Sequence, residues 1–155
     1  MEGLLAGLEA SGVAGEMRRS VWLYPLANVV HVTGLMLFFA SVAAMDIVAM
    51  RERSVSAIRS FVARVRPLAV LFLLVQIGTG VMLFLPEAGH IAVNPVFQVK
   101  VLAILLALGN VVWLERMLRG ASLGAVPTLQ MRLAAGVSLL LWLGVAALGR
   151  LIAYF

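Results

Sequence analysis

A lone imidazole about ten residues into an apolar run must be neutral, hydrogen-bonded or bound to a metal. His31 stands in that position in this chain of 155 residues. Two chemistries suit it: a hydrogen bond to a neighbouring helix, or ligation of haem iron or another metal. His90, the only other imidazole, falls between two apolar runs, where a histidine is commonly solvated. It is nevertheless the only second nitrogen ligand of this kind. Met36 and Met82 offer thioether sulfurs to soft copper or haem iron, although no M-x-x-M or M-x-x-x-M run supports them. Lys100 and Arg150 lie near the ends of apolar runs, where a cation either anchors at the interface or meets an anionic group. Asp46, near the other end of its run, suits a partner for a loop arginine better than a proton relay. Asn28, Gln76, Thr79 and Asn110 are candidate interhelical hydrogen-bond partners, worth about 0.6 kcal/mol each.

These residues need elements that hold them in lipid. A helix requires about 20 mostly apolar residues to cross a hydrocarbon core of about 30 Å. Four stretches qualify, at about 21–50, 67–85, 96–118 and 131–155, and the spacing predicts an all-α, integral membrane four-helix bundle in a single domain, 1–155. In the first span Tyr24, Asn28, His31, Leu35, Phe38, Val42 and Asp46 recur at steps of three and four and form one inward stripe. Gln76, Thr79 and Leu83 share a face of the second, beside Gly78 and Gly80. Lys100, Ala103, Ala107 and Asn110 align in the third; Gly136, Leu140, Leu143, Ala147 and Arg150 align in the fourth. By helical rise, His31, Thr79, Lys100 and Arg150 share one half of the membrane, with Tyr24, Asn28, Gln98 and His90 near that level. The linkers are 51–66, 86–95 and 119–130. Residues 1–17 predict a short amphipathic helix lying on the surface.

Composition agrees. The chain is 63% hydrophobic and 12% charged, with mean hydropathy +1.08, which belongs to the membrane class. The net charge of +5 does not point to nucleic acid, because the arginines cluster in short linkers and make no continuous stripe. Arg51, Arg53, Arg59, Arg64 and Arg66 mark the first linker; Arg116, Arg119 and Arg132 flank the third. By the positive-inside rule both face the cytoplasm, leaving the N- and C-termini outside. Glu2, Glu9 and Glu16 precede any arginine, the wrong order for a secretory signal, so the N-terminus is expected to be retained, with Arg18 and Arg19 as interfacial anchors. There is no cysteine, which excludes disulfides, thiolate metal sites and iron–sulfur clusters. No H-E-x-x-H pattern, glycine-rich phosphate loop or pair of intramembrane carboxylates suggests a protease, nucleotide site or proton pump.

The segment WLYPLANVVHVTGLMLF, then Asp46, TGVMLF at 79–84 and NPVFQVK at 94–100 with Asn110 beyond it, resembles an uncharacterised family of small bacterial four-span membrane proteins over most of the chain. That family carries an Asp-Leu-Arg-x-x-Gly stretch late in its first span; here Asp46 is followed by Ile47 and Val48. The arrangement is also distantly similar to copper-resistance membrane proteins of the CopD type and to the small membrane protoporphyrinogen oxidase. Both place a histidine in an early span and a lysine at the start of a later one. In the latter the histidine is associated with haem, so the resemblance makes His31 and Lys100 a candidate pair.

The combined expectation is a bacterial inner-membrane protein that binds haem b in the outer half of its bundle, for electron transfer or redox handling of a porphyrin or quinone. His31 is the axial ligand and His90 the second imidazole, with Asn28 and Thr79 nearby and Lys100 and Arg150 paired with propionates. One alternative is a copper or small-solute transporter using His31 and methionine sulfurs. Another is a non-catalytic accessory subunit of a larger membrane complex, its polar stripe serving only packing. The bilayer is the first partner, and a homo-oligomer is a further form the bundle could take.

Overall fold

The computed structural model describes residues 2–122 and 124–154. Two short helices, α1 (Glu2–Glu9) and α2 (Gly12–Arg19), precede the first long one, α3 (Leu23–Arg51). Then come α4 (Val55–Phe84), a 3-10 turn at Leu85–Glu87, α5 (Ala88–Val93), α6 (Pro95–Gly120) and α7 (Leu129–Leu151). Helices α3, α4, α6 and α7 are each long and apolar enough to cross a membrane. The chain is therefore a polytopic membrane protein built as an all-α bundle.

Local chemistry sets the helix starts. Asn94 Oδ1 accepts from the amides of Val96 at 2.9 Å and Phe97 at 3.3 Å, and Pro95 follows at the position where its missing N–H costs nothing. Thr128 caps α7 by accepting from Met131 N, and Ser11 caps α2 by accepting from Ala14 N. The basic segment 51–66 is not the linker expected of it. Only Glu52–Ser54 leaves helical conformation, and α4 runs 30 residues from Val55, straight through Pro67. Its arginines lower hydropathy without lowering helix propensity, and at about 45 Å the helix outreaches the hydrocarbon core. The N-terminal segment is likewise two helices where one was expected.

Helices α3 and α7 pack together at the centre, with α4 against α3 and α6 against α7. Accordingly 33% of the apolar stretch of α3 and of α7 is buried, against 6% for the helices beginning at Val55 and Pro95. One core layer joins Phe38, Val42, Ala69, Ala107, Trp142 and Val145. The rings of Phe38 and Trp142 meet edge to face, centroids 4.7 Å apart. A second layer lies toward the basic end and includes Ala49, Val55, Ile58, Leu114, Leu118 and Ala135. The fourth side of the bundle, between α4 and α6, has almost no close backbone approach along its middle. It is tied at one end by stacked Phe84 and Phe97, 5.4 Å between centroids, and at the other by the ion pair of Arg66 with Glu115.

The two basic linkers meet at one end of the molecule. Arg59 donates to the carbonyls of Leu118 (2.8 Å), Arg119 (2.6 Å) and Ala121 (3.0 Å), capping the C-terminus of α6. Arg132 donates to the carbonyls of Met50 and Glu52, and Val55 N donates to Ala125 O. At the opposite end α1 and α2 cover the 86–93 segment: Arg18 donates to Pro86 O at 3.0 Å, and Gly89 N donates to Glu9 Oε1 at 2.7 Å.

The inward faces are partly those the spacing predicts. Phe38, Val42 and Asp46 are buried on α3, but Tyr24 and Asn28, on the expected stripe, are exposed. On α6 the expected face is the observed one, with Ala107 buried and Asn110 Nδ2 donating to Ala134 O at 2.9 Å. The α7 face requires correction: Leu140, Leu143, Ala147 and Arg150 are exposed, and the helix buries Met131, Ala134, Ala135, Ser138, Trp142 and Val145.

Replacing Arg59 removes donors to three carbonyls at once. Arg59→Ala should lower stability by about 1.5–3 kcal/mol, the range for hydrogen bonds involving a charged group. Arg116→Ala, at an exposed position, should stay within about 0.5 kcal/mol. Thermal unfolding of both variants in the same detergent checks the difference.

Candidate functional site

The polar residues of the half opposite the basic linkers gather where α3 packs on α4. Helix α3 can approach because Gly34 is buried against α4; a Cβ there would sit 2.8 Å from Gln76 Nε2 and 3.1 Å from Val75 Cγ1. Close approach lets Gln76 Nε2 donate to the His31 carbonyl at 2.7 Å. One turn further along α4, Thr79 Oγ1 lies 2.7 Å from His31 Nδ1. Gly80 stands beside the imidazole, where an added Cβ would meet His31 Cε1 at 3.5 Å.

The threonine decides the tautomer. Its single hydroxyl hydrogen goes to the Val75 carbonyl at 2.6 Å, a bond to the residue four positions back in its own helix. Thr79 Oγ1 therefore has only lone pairs for His31, and Nδ1 must carry the proton and donate. Nε2 is left as the imidazole's lone-pair nitrogen, and it makes no hydrogen bond among the described residues. A histidine whose one ring N–H is held by the protein and whose other nitrogen is open is the arrangement metal-ligating histidines use.

Lys100 enters from the α6–α7 side. Its Nζ lies against Gly149, 3.3 Å from where a Cβ would be, so that glycine on α7 makes the room. It is half-buried, within electrostatic reach of His31, and makes no hydrogen bond among the described residues. His31, Thr79 and Lys100 thus share one end of the bundle, as their depths predict.

The remaining candidates lie elsewhere. Asn28 is exposed on α3. Arg150 is exposed at the end of α7, where its Nη2 donates to Tyr154 Oη at 3.0 Å and its guanidinium sits over that ring. His90 is exposed on α5 in the capping layer and is not part of the His31 cluster. Gln98 turns back to donate to Ala92 O. Met36 is 65% exposed on the outer surface of α3. Among the described residues no three His, Cys, Asp or Glu side chains come together in a way that could hold a metal ion.

Asp46 also requires correction. No arginine pairs with it among the described residues: Arg66 and Arg119 both bind Glu115, and Arg59 and Arg132 bind backbone carbonyls. Asp46 is instead 5% exposed, next to Ser138 of α7, with Oδ2 lacking a hydrogen-bond partner. Ser138 and Trp142 escaped the sequence reading, although their spacing of four places both on one face of α7.

No protein-family model, characterised protein or solved structure is significantly similar to this chain.

The Gly34 contact predicts a coupled effect. Gly34→Ala should displace Gln76 and lower stability by about 1–3 kcal/mol, the cost of leaving a buried polar group unpaired. Combined with Gln76→Ala the loss should fall short of the sum of the two single losses, because both act through one bond. Melting temperatures of the two single variants and the double variant provide the check.

Proposed function

We propose that the chain is a haem-b-carrying membrane protein in which His31 Nε2 is the axial ligand it supplies to iron. The observation that supports this most directly is the bond from His31 Nδ1–H to Thr79, which aims a neutral imidazole with one open nitrogen and fixes its ring. Lys100, a cation at the same end with no acceptor among the described residues, suits a propionate. Haem b, when bound, supplies one-electron chemistry. Thr79 and Gln76 hold the histidine, and the apolar helix faces keep water from it.

His90, Arg150 and Asn28 have no part in this version. Met82, half-buried on α4 one turn beyond Thr79, would be the further ligand this chain could offer to the haem. The copper alternative has less behind it, since Met36 faces outward and His90 is exposed on α5, which leaves half-buried Met82 as the methionine nearest in sequence to Thr79. The resemblance to a bacterial four-span family favours a bacterial inner membrane. The grouping of Arg51, Arg53, Arg59, Arg64, Arg66, Arg116, Arg119 and Arg132 at one end favours that end as cytoplasmic, with both termini outside.

Two experiments test these proposals. A reduced-minus-oxidised spectrum of protein produced with ample haem should show a Soret band that is lost in His31→Ala. The band should weaken in Thr79→Val and be unchanged in His90→Ala. No Soret band in the parent protein refutes the haem proposal.

For orientation, single cysteines at the exposed positions Ala57 and Glu87 are introduced into the cysteine-free chain. A membrane-impermeant thiol reagent on intact cells should label Glu87→Cys and spare Ala57→Cys. The reverse pattern overturns the topology.

A further inference from the structure

The open fourth side of the bundle contains the most unusual polar chemistry in the molecule. Between α4 and α6 lies a cavity of about 220 Å³, walled by Val70 of α4 and by Leu108 and Val111 of α6, with Asp46, Ser138 and Trp142 at its back. The three wall residues are between 36% and 47% exposed, so the cavity opens sideways toward lipid. The three at the back are almost wholly buried, at 5%, 1% and 4%. By strict geometry Asp46 Oδ2, Ser138 Oγ and Trp142 Nε1 each lack a hydrogen-bond partner among the described residues, although the Ser138 hydroxyl lies close enough to Asp46 to turn its hydrogen toward the carboxyl; the indole N–H has no such neighbour. An unpaired buried polar atom is costly, and the three line one space.

We propose that this cleft is a lateral binding site for a lipid-soluble alcohol, an apolar molecule whose hydroxyl head reaches Asp46 and Trp142. The donor and acceptor inventory selects the head group. Trp142 Nε1 can only donate, the Asp46 oxygen accepts, and Ser138 can do either. A hydroxyl matches all three, giving its hydrogen to Asp46 and accepting from Trp142 or Ser138. A carboxylate or phosphate head in its ionised form has no hydrogen to give and would leave the Asp46 oxygen without a donor. The nearby arginines do not call for an anion, because Arg66 and Arg119 are paired with Glu115 and Arg59 is spent on the end of α6. A metal cation would satisfy Asp46 but not the indole N–H. Water can enter a space of this size and reach the polar back, but the remaining lining is mostly apolar and is covered only by a molecule that also brings an apolar body.

The route follows from the same architecture. The middle of the α4–α6 side is unsealed, while Phe84–Phe97 and Arg66–Glu115 close it above and below. A molecule dissolved in the bilayer therefore reaches Asp46 sideways without crossing an aqueous mouth. The site lies in the basic half, away from His31, and does not depend on haem. Two sources carry this chemistry, an alkylated hydroquinone and a diacylglycerol.

Trp142 reports on the site directly. Trp22 and Trp113 are 80% and 50% exposed, so Trp22→Phe with Trp113→Phe leaves the buried indole as the only tryptophan. In lipid nanodiscs this protein is titrated with decylhydroquinone, with its dimethyl ether, which has the same shape and no donor, and with dioctanoylglycerol. A saturable change in Trp142 emission is expected with one of the two alcohols, which identifies the source, and at least tenfold weaker binding of the ether. Asp46→Leu should abolish the response. Val111→Phe, at an exposed wall position, should weaken it at least tenfold while preserving the melting temperature, and it decides alone if Asp46→Leu fails to fold. The proposal is overturned if the ether binds as well as the hydroquinone, if neither alcohol gives saturation, or if Val111→Phe binds undiminished.

Discussion

A polar group inside hydrocarbon has no water to turn to, and the organisation of this chain follows from how its helices meet that constraint. The arginines answer it with backbone. Arg59 and Arg132 place their guanidinium groups on carbonyls at helix ends, where the last turn leaves acceptors unsatisfied and the helix dipole is negative. That chemistry does two things at once: it keeps the charges at the membrane boundary and ties α4 to α6 and α7 to the end of α3. Arg18 does the same at the opposite end, linking α2 to the segment after α4.

The centre is held differently. Between α3 and α7 the contact rests on Phe38, Val42, Trp142 and Val145, with alanines at 49 on α3 and at 134 and 135 on α7 allowing close packing. Lipid tails are as apolar as leucine, so burial of apolar surface gives little reason for two helices to prefer each other over the bilayer. Shape has to supply the preference, and small residues beside aromatic rings supply it for α3 and α7. Helices α4 and α6 present mainly leucine and valine toward each other at mid-height, with nothing of that shape to bring them together. Their separation follows from the same rule that joins the central pair.

This also explains which parts of the structure were legible in the sequence. The four spans and the shared side of the two basic linkers follow from hydropathy and arginine placement, and both are present. The face of α7 was illegible because lipid and protein interior demand the same apolar side chains. Leu140 and Leu143 look as buriable as Trp142, and Arg150 drew the expected stripe to the wrong side. The start of α4 was missed because arginines interrupt an apolar window without interrupting a helix. An arginine is expected for Asp46 because charge pairs with charge, whereas Arg66 and Arg119 pair with Glu115 and Arg59 and Arg132 bind carbonyls. In the candidate cluster, the common end of His31, Thr79 and Lys100 follows from depth, but depth alone points equally to Asn28, Arg150 and His90, which are exposed. The glycines that let the first three meet, Gly34 and Gly149, needed the structure to show which neighbour each admits.

The two polar centres differ in one respect that bears on their use. At His31 the protein has settled half of the ring: Thr79 takes the Nδ1 hydrogen and Gln76 takes the carbonyl, so one nitrogen alone is open. At Asp46 a carboxyl oxygen, a hydroxyl and an indole N–H surround a shared space, and among the described residues only Ser138 is close enough to turn a hydrogen toward the carboxyl. Helix packing alone would be served equally well by apolar residues at Asp46 and Ser138, since both line a space otherwise walled mostly by apolar side chains such as Phe38, Val42 and Ala49. Retaining unsatisfied polar atoms there weakens the bundle with no structural return. A molecule bringing the complementary hydrogen bonds would satisfy these atoms where the protein's own side chains do not, so polar groups that are poor for packing are suited to binding.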